Sequence, residues 1–147
     1  MLTLRTEIEI AATPERVWNV LMDFPGHAQW NPFVRSLEGT ARAGEMLKVF
    51  IQPPGGRGMQ FTPRVLAVES RREFRWKGKL LVPGLFDGEH FFLLEQKPNE
   101  NVLFRQGEIF SGLLVPLMKS SLEGATRAGF IAMNEALKRR AEASSEG

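Results

Sequence analysis

The chain has 147 residues, 43% of them hydrophobic and 24% charged, with a formal net charge of +2. That is the make-up of an ordinary globular chain, long enough to bury a core without staples, and it points to one domain over residues 1–147. The absence of cysteine excludes disulfides and thiolate chemistry and suits a cytoplasmic protein.

Leu4, Thr6, Ile8 and Ile10 alternate with Arg5, Glu7 and Glu9, which predicts a half-buried first strand and excludes a signal or transit peptide there. A short helix follows. Thr13 is placed to cap it, Pro14 fits its first turn, and Glu15 suits its positive end. Val17, Val20, Leu21 and Phe24 form one apolar stripe, and Pro25-Gly26 stops the helix. Trp18 is expected to pack this helix onto a sheet. A second short helical turn is expected from His27 to Trp30, then a strand over Phe33–Leu37.

Leu47, Val49 and Ile51 share a face of the next strand, which Pro53-Pro54-Gly55-Gly56 ends. Phe61, Pro63, Val65 and Ala67 alternate through a further strand, in which Pro63 signals an edge or a bulge. Phe74 and Trp76 alternate with Arg75 and Lys77, so the rings should face inward and the charges outward. Leu80–Phe86 reads as a loop, and Glu89–Gln96 with Val102–Phe110 reads as a hairpin around Pro98-Asn99-Glu100. That three-residue loop would set His90 opposite Glu108, Phe92 opposite Gln106 and Leu94 opposite Phe104.

From Leu114 the period becomes helical. Leu114, Leu117, Met118, Leu122, Ala125, Gly129, Ala132, Met133, Ala136 and Leu137 share one face, with Pro116 in the first turn. Lys138, Arg139 and Arg140 suit the negative helix end, before a Ser144–Gly147 tail expected to fray. Gly124, Ala125, Ala128, Gly129 and Ala132 make this helix slim at its middle. A slim helix either packs closely on the sheet or leaves a cavity there.

No apolar run approaches the ~20 residues that span a bilayer, so stable membrane insertion is not expected. Pro54-Gly55-Gly56-Arg57-Gly58 lacks the Lys-Ser/Thr and the helix of a phosphate loop, and two histidines without cysteine are too few for a structural zinc site. No metal or cofactor is expected. The basic cluster Arg71, Arg72, Arg75, Lys77 and Lys79 reads as a solvated outer face, not a nucleic-acid surface.

Three segments together resemble the START-like (SRPBCC, polyketide cyclase/dehydrase-like) superfamily: Ala12–Trp18 with Trp30-Asn31-Pro32-Phe33, His90-Phe91-Phe92-Leu93-Leu94, and Glu108-Ile109-Phe110-Ser111-Gly112 leading into the last helix. The resemblance covers nearly the whole chain. It implies an α+β helix-grip fold, a curved antiparallel sheet of about seven strands around a long C-terminal helix, with two short helices after the first strand. It also implies a hydrophobic pocket with Trp30 and Phe33 beside its mouth.

On this reading the ligand is a small hydrophobic or aromatic molecule such as a lipid or polyketide. Trp30, Phe33, Phe61, Trp76, Phe92, Phe104, Phe110, Met118 and Met133 would form its wall. An imidazole facing a carboxylate can move protons, so His90 and Glu108 are the candidate acid/base pair of a cyclase or dehydratase, with Gln106 placed to hold a carbonyl. The competing reading is that these polar groups only satisfy one another inside an apolar wall. A regulatory module that docks a protein partner is a third possibility, and the scattered surface charges argue against it. The sequence leaves the oligomeric state open.

Overall fold

The computed structural model describes residues 1–80 and 82–143, so the Ser144–Gly147 tail lies outside the described residues. Strand β1 (Leu2–Ile10) leads into α1 (Pro14–Met22), a 3₁₀ turn (Phe24–Gly26) and α2 (His27–Trp30). The strands β2 (Val34–Glu38), β3 (Lys48–Ile51), β4 (Met59–Phe61), β5 (Arg64–Glu69), β6 (Glu73–Lys79), β7 (Asp87–Gln96) and β8 (Val102–Ser111) follow. The chain closes with α3 (Val115–Ser121), a π turn (Leu122–Thr126) and α4 (Arg127–Ala143). Thr13 caps α1 as its chemistry requires: its Oγ1 accepts from the Arg16 N–H at 3.1 Å.

Five strands form one antiparallel sheet in the order β1-β8-β7-β6-β5, and β2-β3-β4 form a second. The alternating run through Phe61 and Ala67 is therefore two strands in two sheets, not one. Pro63 has no N–H to give, so pairing breaks there. The sheets are nevertheless joined around the break. Leu47 N–H donates to the Pro63 carbonyl at 2.9 Å and Val65 N–H to the Glu45 carbonyl at 2.8 Å.

The hairpin register is the one its loop dictates. Lys97 N–H bonds the Asn101 carbonyl at 2.8 Å, and from there His90 faces Glu108, Phe92 faces Gln106 and Leu94 faces Phe104. Combined with the neighbouring registers, this lays rows across the inner face of the sheet. One row runs Trp76, His90, Glu108, Leu4 and the next Phe74, Phe92, Gln106, Thr6.

Helix α4 lies against β1 and β8 and touches α1 and α2. Phe130, Met133, Leu137 and Ala141 are its fully buried apolar side chains. The inward stripe departs from the one that continuous α-periodicity gives. Leu117 is 82% exposed, and Gly124, Ala125 and Ala128 also face solvent. The π turn inserts extra residues into the helical repeat, so the inward face of α3 is offset from the stripe projected backward from α4. Of the small residues at the middle of the helix, Gly129 makes the close approach. A Cβ there would lie 2.4 Å from the Phe33 ring. Among the described residues, no helix is long and apolar enough to cross a membrane.

Candidate functional site

A cavity of about 360 Å³ lies between the two sheets and the segment formed by α3 and the π turn. Its apolar wall draws Phe33 from the α2–β2 connection, Phe61 from β4, Trp76 from β6, Phe110 from β8 and Met118 from α3. His90 and Glu108, from adjacent strands, form part of the same wall. Ile51, Met59, Phe86, Leu122 and Thr126 also line it. Sequence reasoning passed over these five. Leu122 and Thr126 carried a usable signal, since they follow Met118 at four-residue steps.

Five expected lining residues lie elsewhere. Phe92 and Phe104 belong to the rows beyond His90, where Phe24 stacks on Phe74 and Phe74 on Phe92, each at 5.9 Å. That stack fills the space before a ligand could reach it. Met133 is wholly buried on the inner face of α4. Trp30 faces away and packs at a tilt against His27 at 4.8 Å, beside an outer depression formed with Arg16 and Arg140. Gln106 is wholly buried behind His90, with its amide already engaged, so it is not free to hold a ligand carbonyl.

Burial is nearly complete around the imidazole. His90 is packed by Trp76 at 5.2 Å, Phe92 at 4.5 Å and Phe130 at 5.0 Å. Its Nδ1 meets Glu108 Oε1 at 3.2 Å and its Nε2 meets Gln106 Oε1 at 2.9 Å. Behind these contacts, Gln106 Nε2 donates to Asn134 Oδ1 at 2.8 Å, and Asn134 Nδ2 donates to Thr6 Oγ1 at 2.8 Å. The Thr6 hydroxyl donates to the Gln106 backbone carbonyl at 2.7 Å. Glu108 needs room on its other side, and Gly88 supplies it: a Cβ at Gly88 would stand 2.1 Å from Glu108 Oε2. The result is a largely apolar cavity with this polar cluster in its wall, to which Gln60, Thr62, Lys79 and Thr126 also contribute. Such a site holds an apolar molecule by contact area and orients it by one or two hydrogen bonds.

Fold and site together define a START-like, helix-grip protein with a partly open, largely apolar cavity. The chain belongs to the polyketide cyclase / dehydrase and lipid transport family, whose model matches residues 1–142. Among solved structures it is similar to the Zhui aromatase/cyclase from Streptomyces sp. R1128, with a TM-score of 0.77, 17% identity, and coverage of 96% of this chain and 93% of that one. A START superfamily protein from Mycobacterium smegmatis gives 0.74 and 20% identity over 97% and 99% of the two chains. The protein TTHA0849 from Thermus thermophilus gives 0.76 and 18% identity over 98% and 99%. No curated protein matches the chain. At these identities the structural likeness speaks for the fold alone.

Proposed function

We propose that this protein binds a small hydrophobic or aromatic molecule in the cavity, with an oxygen of that molecule turned toward Glu108 and His90. The observation that carries this reading is the cavity itself: about 360 Å³ walled mainly by aromatic and aliphatic side chains, with His90, Glu108 and Lys79 as ionisable groups in the wall. Family membership supports the same ligand class. Native mass spectrometry of freshly purified protein, followed by extraction of the bound fraction, tests it. A co-purifying apolar compound that is lost in Phe61→Trp, a change that narrows the cavity, is the expected result. Binding that persists unchanged in that variant overturns this site.

A second reading is an acid–base enzyme of the cyclase or dehydratase type. The 3.2 Å contact between His90 and Glu108 at the cavity wall favours it. The released ligand separates the two. If it is recovered chemically altered after incubation with the protein, and unaltered with His90→Gln, the pair acts on it. If it is unaltered in both, the protein is a carrier or binder.

A further inference from the structure

The hydrogen bonds behind His90 have a direction, and that direction starts from a group that cannot change its role. The Gln106 backbone carbonyl only accepts, so the single proton of the Thr6 hydroxyl points at it. Thr6 Oγ1 must then accept from Asn134 Nδ2, which turns Asn134 Oδ1 toward Gln106. Gln106 Nε2 donates to that oxygen, and its Nε2 also points at the Phe130 carbonyl, 3.4 Å away. Gln106 Oε1 is thereby left facing His90 Nε2 at 2.9 Å, and only a protonated Nε2 can make that bond.

With Nε2–H fixed, the other nitrogen has no proton of its own in the neutral ring. A bare Nδ1 against a carboxylate oxygen at 3.2 Å would set lone pair against lone pair. One further proton therefore belongs between them, either on Glu108 as a carboxylic acid donating to Nδ1 or on Nδ1 of an imidazolium donating to the carboxylate. The commoner arrangement, a neutral Nδ1–H imidazole donating to a carboxylate, is closed here because it would turn a bare Nε2 toward Gln106 Oε1.

We propose that Thr6, Gln106 and Asn134 are positioning residues that hold His90 in its Nε2–H form and so keep an extra proton between His90 and Glu108. Thr6 and Gln106 lie on neighbouring strands, β1 and β8, and Asn134 on α4, so the device is assembled from three elements. That proton sits at the cavity wall, where it can be donated to an oxygen of a bound molecule. The donation rests on the ligand reading above, whereas the tautomer does not.

The test is a long-range ¹H–¹⁵N correlation spectrum of protein labelled in the histidine rings. The chain has two histidines, and His27 is an internal reference because its Nε2 bonds the Leu21 carbonyl at 2.7 Å and must carry a proton. The expected spectrum shows Nε2–H for both rings. Thr6→Val and, as an independent break, Asn134→Leu should move His90 to Nδ1–H while His27 stays unchanged, and Thr6→Ser should keep the original form. A His90 that carries Nδ1–H with a bare Nε2 in the unaltered protein overturns the proposal, as does an Nε2–H form that survives both Thr6→Val and Asn134→Leu.

A second readout separates the lock from the ligand reading. The fluorescent ketone 6-propionyl-2-(dimethylamino)naphthalene should bind Thr6→Val about tenfold more weakly than Thr6→Ser, the size of one lost hydrogen bond. Naphthalene, with no oxygen, should bind both alike. If the tautomer switches but neither probe binds any variant, the lock stands and the cavity reading falls.

Discussion

The two histidines show how differently one side chain can be used inside a single small fold. His27 and His90 are both buried, at 1% and 3% exposure, and both ring nitrogens of each are hydrogen-bonded. His27 donates from Nε2 to the Leu21 carbonyl and accepts at Nδ1 from Asn31 Nδ2 at 2.9 Å. Asn31 Oδ1 then accepts from the backbone N–H groups of Phe33 and Val34, each at 2.9 Å. Every role in that cluster is filled by a neutral group, and the ring has no exit to a cavity. His90 has the Glu108 carboxyl group on one side and lines the cavity. A neutral, closed set of partners makes a histidine structural. The other has an acidic partner and lies in the wall of the cavity.

The largest way to break this comparison is at Asn31. Removing its side chain strands two backbone N–H groups and one imidazole nitrogen, so Asn31→Ala should cost about 2–4 kcal/mol of stability. Urea denaturation at pH 7.5 measures it, and a loss below ~1 kcal/mol would mean that water replaces the amide.

A graded effect follows from pH. Burial holds His27 below its ordinary value, opposed in part by its bond to Leu21 and by the charge of Asp23. The unfolded chain therefore takes up a proton that the folded chain refuses. The His27 contribution is complete above the ordinary histidine value and is lost as pH falls from there toward the lowered folded value. Stability should drop between pH 7.5 and 5 and should drop less in His27→Gln. Glu9, held down to about 2 by Asn101, Lys97 and Asn99, does not confuse that window. Its own contribution is present above 4.5 and is lost as pH falls through about 2.

Changes at the other histidine should register in binding more than in stability. Glu108→Gln keeps the shape but puts an amide, which neither gives up nor takes a proton, in place of the carboxyl group, so it should cost under ~1 kcal/mol in denaturation while shifting the naphthyl ketone's emission. The smallest change is Gly88→Ala. Its Cβ meets only the far end of the Glu108 side chain, which can swing away. Stability should stay within about 0.5 kcal/mol, and ketone affinity should fall by a few-fold. Unchanged affinity in both variants would place the ligand's polar end elsewhere.

Much of this site could be read along the chain, because strand pairing carries information from a turn over many residues. The Pro98-Asn99-Glu100 loop fixes Lys97 opposite Asn101, and two-residue alternation does the rest, placing His90 beside Glu108 several residues away. The short helices were legible for a similar reason, since caps and breakers act locally. What local pattern does not encode is which inner rows stay open. Phe92 and Phe104 alternate as regularly as Trp76, yet Phe24 arrives from a distant element and extends their stack through Phe74. Thr6 and Asn134 likewise reach Gln106 from near the two ends of the chain. The π turn defeats a fixed helical period by construction, which is why Leu117 and Ala125 fall outside the buried face.

The pairing of β1 with β8 also governs when this protein can fold. The first strand leaves the ribosome early, but the partner that buries it, from Leu2 against Phe110 to Ile10 against Val102, is the last strand of the sheet to be made. Until then β1 carries unpaired backbone and an apolar edge, with Leu4 and Ile10 uncovered. A topology closed by its most distant strands folds slowly and late. The nascent chain must therefore hold an open edge until β8 emerges, and only that arrival completes the wall that carries Glu108.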